Sequence, residues 1–426
     1  MDMQRQPETT RRDFMKKAGA AGAAAFAATR FNIARAQNVN SRLGIGFIGC
    51  GGRNGHLSQQ LVRLQEEGAA IDFVATCDAY RPRMNALAKK LGAEAQYMDH
   101  RELVADPNVD VVSIATPDHH HGYQAIDAAK AGKHIYCEKP FTHWRQLALT
   151  HDTVKAVEES GVKFQLGTQG LSDSAWTQMK KIVAEGLIGQ PIHAECGYFR
   201  VGDWGERGMP IDDPEAKPGP DLDWEGFLGD APERDFDVSR FFRWRMYEDY
   251  SGGPVTDLFP HSYTPMVYML DLGMPSLAVG TGGKFRYEER EVPDTFNMLV
   301  DYPEKCTVAV LGTQANEYQG TGFRGSGGRI PIVRGWDGTL TVERNTIKFM
   351  NVEGGKKKDQ EWEIEHGEGV DRHWQDLLTC IREGGTPRSN IDLAGRVQTA
   401  LQMAMHTLRN GRVATWDAGT RSVHTG

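Results

Sequence analysis

Five short apolar runs, each closing on a turn-forming or charged residue, constrain this chain more than any other feature. They are LGIGFIG (43–49), IDFVATCD (71–78), VDVVSIATP (110–117), KHIYCEKP (133–140) and VKFQLGTQ (162–169). Amphipathic stretches such as LSQQLVRLQEEG (57–68) and YQAIDAAKAG (123–132) separate them. Runs of this length suit strands buried on both faces, and parallel neighbours need a helical crossover. The alternation therefore predicts an α/β domain with a parallel sheet over residues 41–165.

Such a sheet binds ligands beyond the carboxyl ends of its strands, so the turns there are informative. The first is GCGGRNG (49–55). A glycine-rich strand-to-helix turn lets the backbone approach a pyrophosphate at a helix N-terminus. Gly49 and Gly51 take the first two places of G-x-G-x-x-G, while Asn54 holds the third and Gly55 follows it, an imperfect match. Gly52, Arg53 and Asn54 complete the candidate cofactor loop. Asp78 closes the second run, where a carboxylate accepts from a ribose 2′-hydroxyl and repels a 2′-phosphate. That favours NAD, although Arg81 and Arg83 leave NADP open.

The stretch TPDHHH (116–121) places Thr116, Pro117 and His121 as candidates along the same cleft. Three adjacent histidines cannot converge on one point from a regular element, and no C-x-x-C or H-E-x-x-H accompanies them, so no metal site is expected. In IYCEKPFTHW (135–144), a strand ends in Glu138-Lys139-Pro140, a charged pair followed by a residue with fixed φ.

The succession GCGG, CD, TPDHHH, GKHIYCEKP and QLGTQ resembles the Gfo/Idh/MocA family of nicotinamide-dependent oxidoreductases. The resemblance covers nearly the whole chain after residue 36. It implies that Lys139 lies beside the nicotinamide and the reacting hydroxyl, with Glu138 next to it in the cofactor site. A second family motif, Asp-x-x-x-His after a glycine-rich turn, is SGGPVTDLFPH here and yields Asp257 and His261. A spacing of four sets both on one helical face, but Pro260 between them points to an irregular or first-turn helix. The implied reaction takes hydride from a secondary alcohol of a sugar, sugar derivative or cyclitol. His261 suits the base, which needs a pKa near the working pH. Lys139 would favour the developing alkoxide, and Asp257 would orient the imidazole or bind substrate. The division of roles between His261 and Lys139 stays open.

From residue 166 to 426 a second domain is expected. A helix over 174–189 precedes strand candidates at 192–199, 295–302, 306–312 and 338–350, and helices near 368–383 and 391–410 follow. This predicts an α+β domain with a largely antiparallel open sheet. In the resembled family the open face packs on another subunit, which implies a homo-oligomer, a dimer or tetramer. The irregular segment 200–252 is rich in aromatics: Trp204, Trp224, Phe227, Phe241, Phe242, Trp244, Tyr247 and Tyr250. Mixed with Arg243, Arg245, Glu248 and Asp249, they suit a sugar ring, and Arg243 and Trp244 are candidate substrate contacts. Most of the aromatics are expected to pack the segment itself. RGSGGR (324–329) lacks a strand-to-helix context and reads as a hairpin tip rather than a phosphate cradle.

The chain opens with TTRRDFMKKAGAAGAAAFAATR, in which Arg11-Arg12, Phe14 and Lys16 precede an Ala/Gly run; Ala34-Arg35-Ala36 then offers a cleavage site. The run is too short to span a bilayer, and the pattern resembles a twin-arginine signal over residues 1–36. Export by the twin-arginine machinery to the periplasm or cell envelope is expected. Beyond residue 36 the chain holds 42 basic and 54 acidic residues, which argues against a nucleic-acid or anionic-membrane partner. The six cysteines show no metal spacing and are expected to be reduced. Little free dinucleotide exists outside the cytoplasm, so an exported enzyme is expected to keep NAD tightly bound. A redox-neutral glycoside hydrolase working by oxidation, elimination, hydration and reduction is the alternative; a non-catalytic sugar sensor is the third reading.

Overall fold

The structure is a computed structural model that describes residues 41–203, 205–318 and 331–425. The leader at 1–36, Trp204 and the loop 324–329 lie outside the described residues.

The first sheet has six parallel strands in the order β3-β2-β1-β4-β5-β6: β1 (Leu43–Ile48), β2 (Ile71–Cys77), β3 (Ala95–Tyr97), β4 (Val111–Ile114), β5 (His134–Cys137) and β6 (Phe164–Leu166). Strands β1 and β4 are buried at every residue because helices cover both faces, which is why they read as unbroken apolar runs. The strand order reverses between them, and a crevice opens at that switch point. The edge strand β3 was not foreseen, because three residues with a central glutamine carry no periodicity.

The second sheet has ten strands, ordered β14-β13-β12-β11-β7-β10-β9-β8-β15-β16. They are β7 (Pro191–Phe199), β8 (Leu277–Gly283), β9 (Thr295–Tyr302), β10 (Cys306–Thr313), β11 (Ile332–Gly335), β12 (Gly338–Glu343), β13 (Thr346–Asn351), β14 (Gln360–Glu363), β15 (Ala414–Asp417) and β16 (Ser422–Thr425). Pairing is antiparallel except between β7 and β10. In β9 the residues Phe296, Met298, Val300 and Tyr302 are buried while Leu299 is exposed, the two-residue alternation of a sheet with one covered face. The helices Phe259–Met269 and Ile391–Asn410 join that core. The stretch 338–350, expected as one strand, is a hairpin of β12 and β13 that turns at Arg344 with φ +55°.

The helix Val370–Glu383 lies late in the chain but packs on the first domain. Trp374 stacks on Tyr136 of β5 at 4.1 Å, and Leu377 and Ile381 join Leu43, Phe47 and Leu57. The domain boundary expected at residue 166 does not assign this helix correctly, since apolar periodicity says that a helix has a buried face but not which sheet meets it.

The segment 205–250 forms a strap with its own apolar cluster. Trp224, Phe227, Phe241, Phe242, Trp244 and Tyr250 pack together with Leu222 and with Tyr80 of the first domain. Backbone hydrogen bonds from Arg81 N to Asp221 O and from Asp223 N to Ala79 O, both 2.9 Å, sew the strap to the β2 turn. His119 and His120 each point Nε2 at the Phe227 carbonyl, at 2.9 and 2.7 Å. The strap therefore lies across the crevice of the first sheet.

Candidate active site

The crevice is a cleft of about 840 Å³, walled by the carboxyl-end turns of the first sheet on one side and the strap on the other. Gly49, Gly51, Gly52, Arg53, Asp78, Thr116 and Pro117 line the first wall, and Met209, Phe227, Trp244 and Arg245 the second. Gly49 has φ +82°, and a Cβ there would come within 2.7 Å of the Ala115 carbonyl oxygen. The helix Gly52–Glu66 starts with neither a capping side chain nor an acidic residue in its first turn. Its first N–H groups and its positive end are thus uncommitted to protein side chains, as a pyrophosphate requires.

Asp78 accepts from the N–H groups of Cys50 (2.6 Å) and Tyr80 (2.8 Å), which fixes the glycine loop relative to the β2 turn. Burial raises its carboxyl above the usual range despite these bonds. Each oxygen has a second lone pair for a hydroxyl in the cleft. Asn54 departs from the expected role. Its amide donates to the carbonyls of Ile48, Gly49 and Ser113 and accepts from the Ser113 hydroxyl, so it pins the loop from beneath.

The Glu138-Lys139 pair is no surface dipeptide. Glu138 is buried and accepts from Arg53 Nε at 2.7 Å and Gln169 Nε2 at 2.9 Å. A Cβ on Gly167 would lie 2.6 Å from Glu138 Oε1, so QLGTQ supplies both the space and a partner. Burial would raise the Glu138 carboxyl, but the Arg53 and Lys139 cations hold it below its ordinary value. Lys139 Nζ donates to Asp257 Oδ1 at 2.5 Å and to the Asp257 carbonyl at 2.7 Å. The Lys139–Pro140 peptide is cis.

Asp257 ends the short helix Pro254–Asp257, and His261 lies in the first turn of Phe259–Met269, with Leu258 between the helices and Pro260 in that first turn. The shared helical face is interrupted at Leu258, two residues before the proline that made it doubtful. Arg245 Nε lies 3.4 Å from Asp257 Oδ1, and its guanidinium stacks on Trp244 at 4.2 Å. Burial alone would raise the Asp257 carboxyl; Lys139 and Arg245 overcome it and hold the group well below the carboxylate range, hence ionised. His261 is pulled down to about 3, by burial first and by the Lys139 cation second. An imidazole poised near neutrality is therefore not what the fold provides: His261 is neutral throughout the physiological range, and burial and the Lys139 cation make it a weaker base than a free imidazole.

Two further candidates are placed elsewhere. His121 sits behind the cleft, with its ring nitrogens 2.7 and 2.9 Å from the carbonyls of Pro140 and Thr116, where it ties the two turns together; of the three adjacent histidines it is His120 that lines the cleft. Arg243 donates to the Met209 carbonyl and lines a separate pocket with Asp203, Arg207 and Tyr287. Its neighbour Arg245 takes the place beside Asp257. Nothing in RWR distinguishes the two arginines before the chain turns. Asp118 was also missed: it is buried in the turn after β4, and burial pushes its carboxyl up to about 8 against the pull of Arg245. Among the described residues no group of three or more His, Cys, Asp or Glu could hold a metal ion, and all six cysteines are free and buried.

The buried imidazoles make acid lability an expected property. Burial lowers His120, His134 and His373 to about 4, and His143 and His261 to about 3. Below roughly pH 6.5 the unfolded chain takes up protons that these five refuse when folded, so stability falls as pH drops from there towards 3. Asp118 opposes this between roughly pH 4 and 8, because it holds its proton when folded. The imidazoles outnumber Asp118, so unfolding near pH 5 takes up protons on balance. The melting temperature should drop markedly between pH 7 and pH 5; equal values at both would show that these imidazoles titrate normally.

Fold and site together define a two-domain dinucleotide-binding protein whose Lys139–Asp257 pair lies outside the cleft lining and joins it through Arg245, with His261 in the field of that pair. Residues 43–168 match the oxidoreductase family NAD-binding Rossmann fold, and residues 173–333 match the oxidoreductase family C-terminal alpha/beta domain. The chain belongs to the Gfo/Idh/MocA oxidoreductase family. It is 30% identical over 367 residues to the scyllo-inositol 2-dehydrogenase (NAD(+)) of Bacillus subtilis, covering 84% of this chain and 92% of that protein. With the inositol 2-dehydrogenase of Salmonella typhimurium it shares 33% identity over 165 residues, which span 37% of this chain and only 45% of the relative. Levoglucosan dehydrogenase, solved with NADH and levoglucosan, superposes with a TM-score of 0.65 over 90% of this chain and 99% of its own, at 18% identity. Aldose-aldose oxidoreductase of Caulobacter crescentus, solved with glycerol, superposes with a TM-score of 0.64 over 88% and 99%, also at 18% identity. The structural likenesses speak for the fold alone.

Proposed function

We propose that the protein is an NAD-dependent dehydrogenase that oxidises a secondary hydroxyl of a sugar, sugar derivative or cyclitol, and that it retains its cofactor between turnovers. One observation carries this reading: a lysine held at 2.5 Å by a buried, ionised aspartate, with a neutral histidine in their field, at the end of β5 beside a cleft of about 840 Å³ lined by the glycine-rich turn. The loop Gly49–Arg53 and Asp78 would hold NAD, which supplies the hydride acceptor when bound. Lys139 would donate to the substrate oxygen and stabilise the negative charge that grows there. His261, neutral beforehand, would accept the hydroxyl proton. Asp257 and Arg245 hold this pair in register and offer hydrogen bonds to neighbouring hydroxyls. The relatives named for inositol support a polyhydroxylated ring as the substrate class.

Two features support a resident cofactor. The strap closes over the cleft and is fixed to both flanking turns. The twin-arginine-like leader points to export of the folded protein to the periplasm or envelope, where dinucleotide is scarce. The exposed Leu299 and Met350 on the outer face of the second sheet support a homo-oligomer. The test is to purify the protein without added cofactor, denature it, and count the released dinucleotide by mass spectrometry. Close to one NAD or NADH per chain is expected; an empty protein that binds NAD only weakly would overturn retention and leave an ordinary dehydrogenase.

A further inference from the structure

Each arginine that lines the cleft is already paired with a carboxylate. Arg53 meets Glu138 at 2.7 Å, Arg101 meets Asp99 at 2.6 Å, and Arg245 lies 3.4 Å from Asp257. The fourth pair joins the two domains. Arg83, five residues beyond Asp78, directs Nε at Asp212 Oδ2 of the strap at 2.5 Å, and its guanidinium lies over Phe242 of the strap at 5.1 Å. That guanidinium also stands at the glycine loop, 3.6 Å from where a Cβ on Gly51 would be. Arg83 is thus the cation placed to meet a phosphate on the adenosine ribose, on the side where Asp78 faces the cleft. A guanidinium free at this position would bind a 2′-phosphate through two charge-assisted hydrogen bonds. Asp212 engages Nε of that guanidinium instead and adds a second carboxylate near Asp78.

We propose that Asp212 selects the coenzyme: by holding Arg83 from the strap, it makes the closed cleft reject the 2′-phosphate of NADP and accept the 2′-hydroxyl of NAD. The inference rests on the dinucleotide-binding reading above and adds a residue from the other domain to the specificity of that site. NADP would have to compete with Asp212 for Arg83 and bring three like-charged groups together, the phosphate and two carboxylates. Coenzyme choice and strap closure are then one event, since the selecting carboxylate arrives only with the strap.

Asp212 is one-third exposed and Arg83 about one-fifth, so both can be replaced without opening the core. The experiment is equilibrium dialysis of the whole protein against equimolar NAD and NADP, with both nucleotides counted in the protein compartment. Asp212→Asn should raise the bound NADP:NAD ratio at least tenfold, or about 1.4 kcal/mol, with total occupancy unchanged. Adding Arg83→Met to that variant should abolish the gain. A ratio within twofold of the wild type would overturn the proposal. So would a gain that survives removal of Arg83, or an equal loss of both nucleotides, which would make Asp212 merely a strap anchor. A wild type that holds neither nucleotide would bring down the dinucleotide reading itself, an outcome distinct from all of these.

Discussion

Lys139→Ala is expected to lower kcat by about a thousandfold while leaving the dinucleotide bound. In the proposed reaction the lysine donates to the reacting oxygen, and its loss removes both that donor and the field that favours an alkoxide. The fold should survive. Asp257 keeps Arg245 at 3.4 Å, so its buried carboxylate is not left without a counter-charge. The cofactor should stay, because the glycine loop and Asp78 do not depend on Lys139. The measurement is the rate at which bound NAD is reduced on mixing with polyol, together with the dinucleotide count of the variant. Unchanged reduction would remove Lys139 from the chemistry. Lost dinucleotide would mean that the variant had damaged the cleft instead. His261 should shift in the same variant: the Lys139 cation is the second cause of its depressed pKa, so alanine at 139 should let the imidazole titrate at a higher pH.

Arg290→Met is expected to destabilise the protein by about 3 kcal/mol, towards the low end of the cost of orphaning buried charges. Arg290 is fully buried. Its guanidinium donates to Asp203 Oδ1 at 2.7 Å, to the Pro293 carbonyl at 2.7 Å, to the Val292 carbonyl at 3.2 Å and to the side chain of Gln314; Glu206 lies 3.5 Å away. Methionine fills the volume but leaves two buried carboxylates facing each other. Arg207, 3.8 Å from Asp203, and Arg200, 3.6 Å from Glu206, limit the damage. Asp203 and Glu206 flank the start of the strap, so the loss should also appear as weaker cofactor retention. Asp203→Asn combined with Arg290→Met should recover part of the stability by removing one of the orphaned charges. A melting temperature within roughly a degree of the wild type would contradict this account.

Much of the first domain was readable in the sequence because its strands are buried on both faces. Each appears as an unbroken apolar run, and each run ends at a turn that the fold also uses. Gly49, Asp78 and Lys139 were legible for the same reason: they stand at the ends of such runs. β3 and β14 were not, being short, polar and at sheet edges. The strap was the hardest part. Its aromatics were expected to pack together, and six of them do, but no periodicity says that their cluster rests on Tyr80 and roofs a cleft.

The sequence alone determined the parallel sheet, the glycine-rich turn and the charged residues that stand at its strand ends, because strand burial and turn geometry act over a few neighbouring residues. Tertiary structure decided how those residues are used. It turned Asn54 and His121 away from the cleft, exchanged Arg243 for Arg245 at Asp257, brought the helix Val370–Glu383 back to the first domain, and set Asp212 on Arg83. Each depends on which polar group finds a partner elsewhere in the fold, as Arg83 does with Asp212, 129 residues away, or on which apolar face a helix meets. Burial and charge settle such choices once the chain has closed, and local pattern does not encode them.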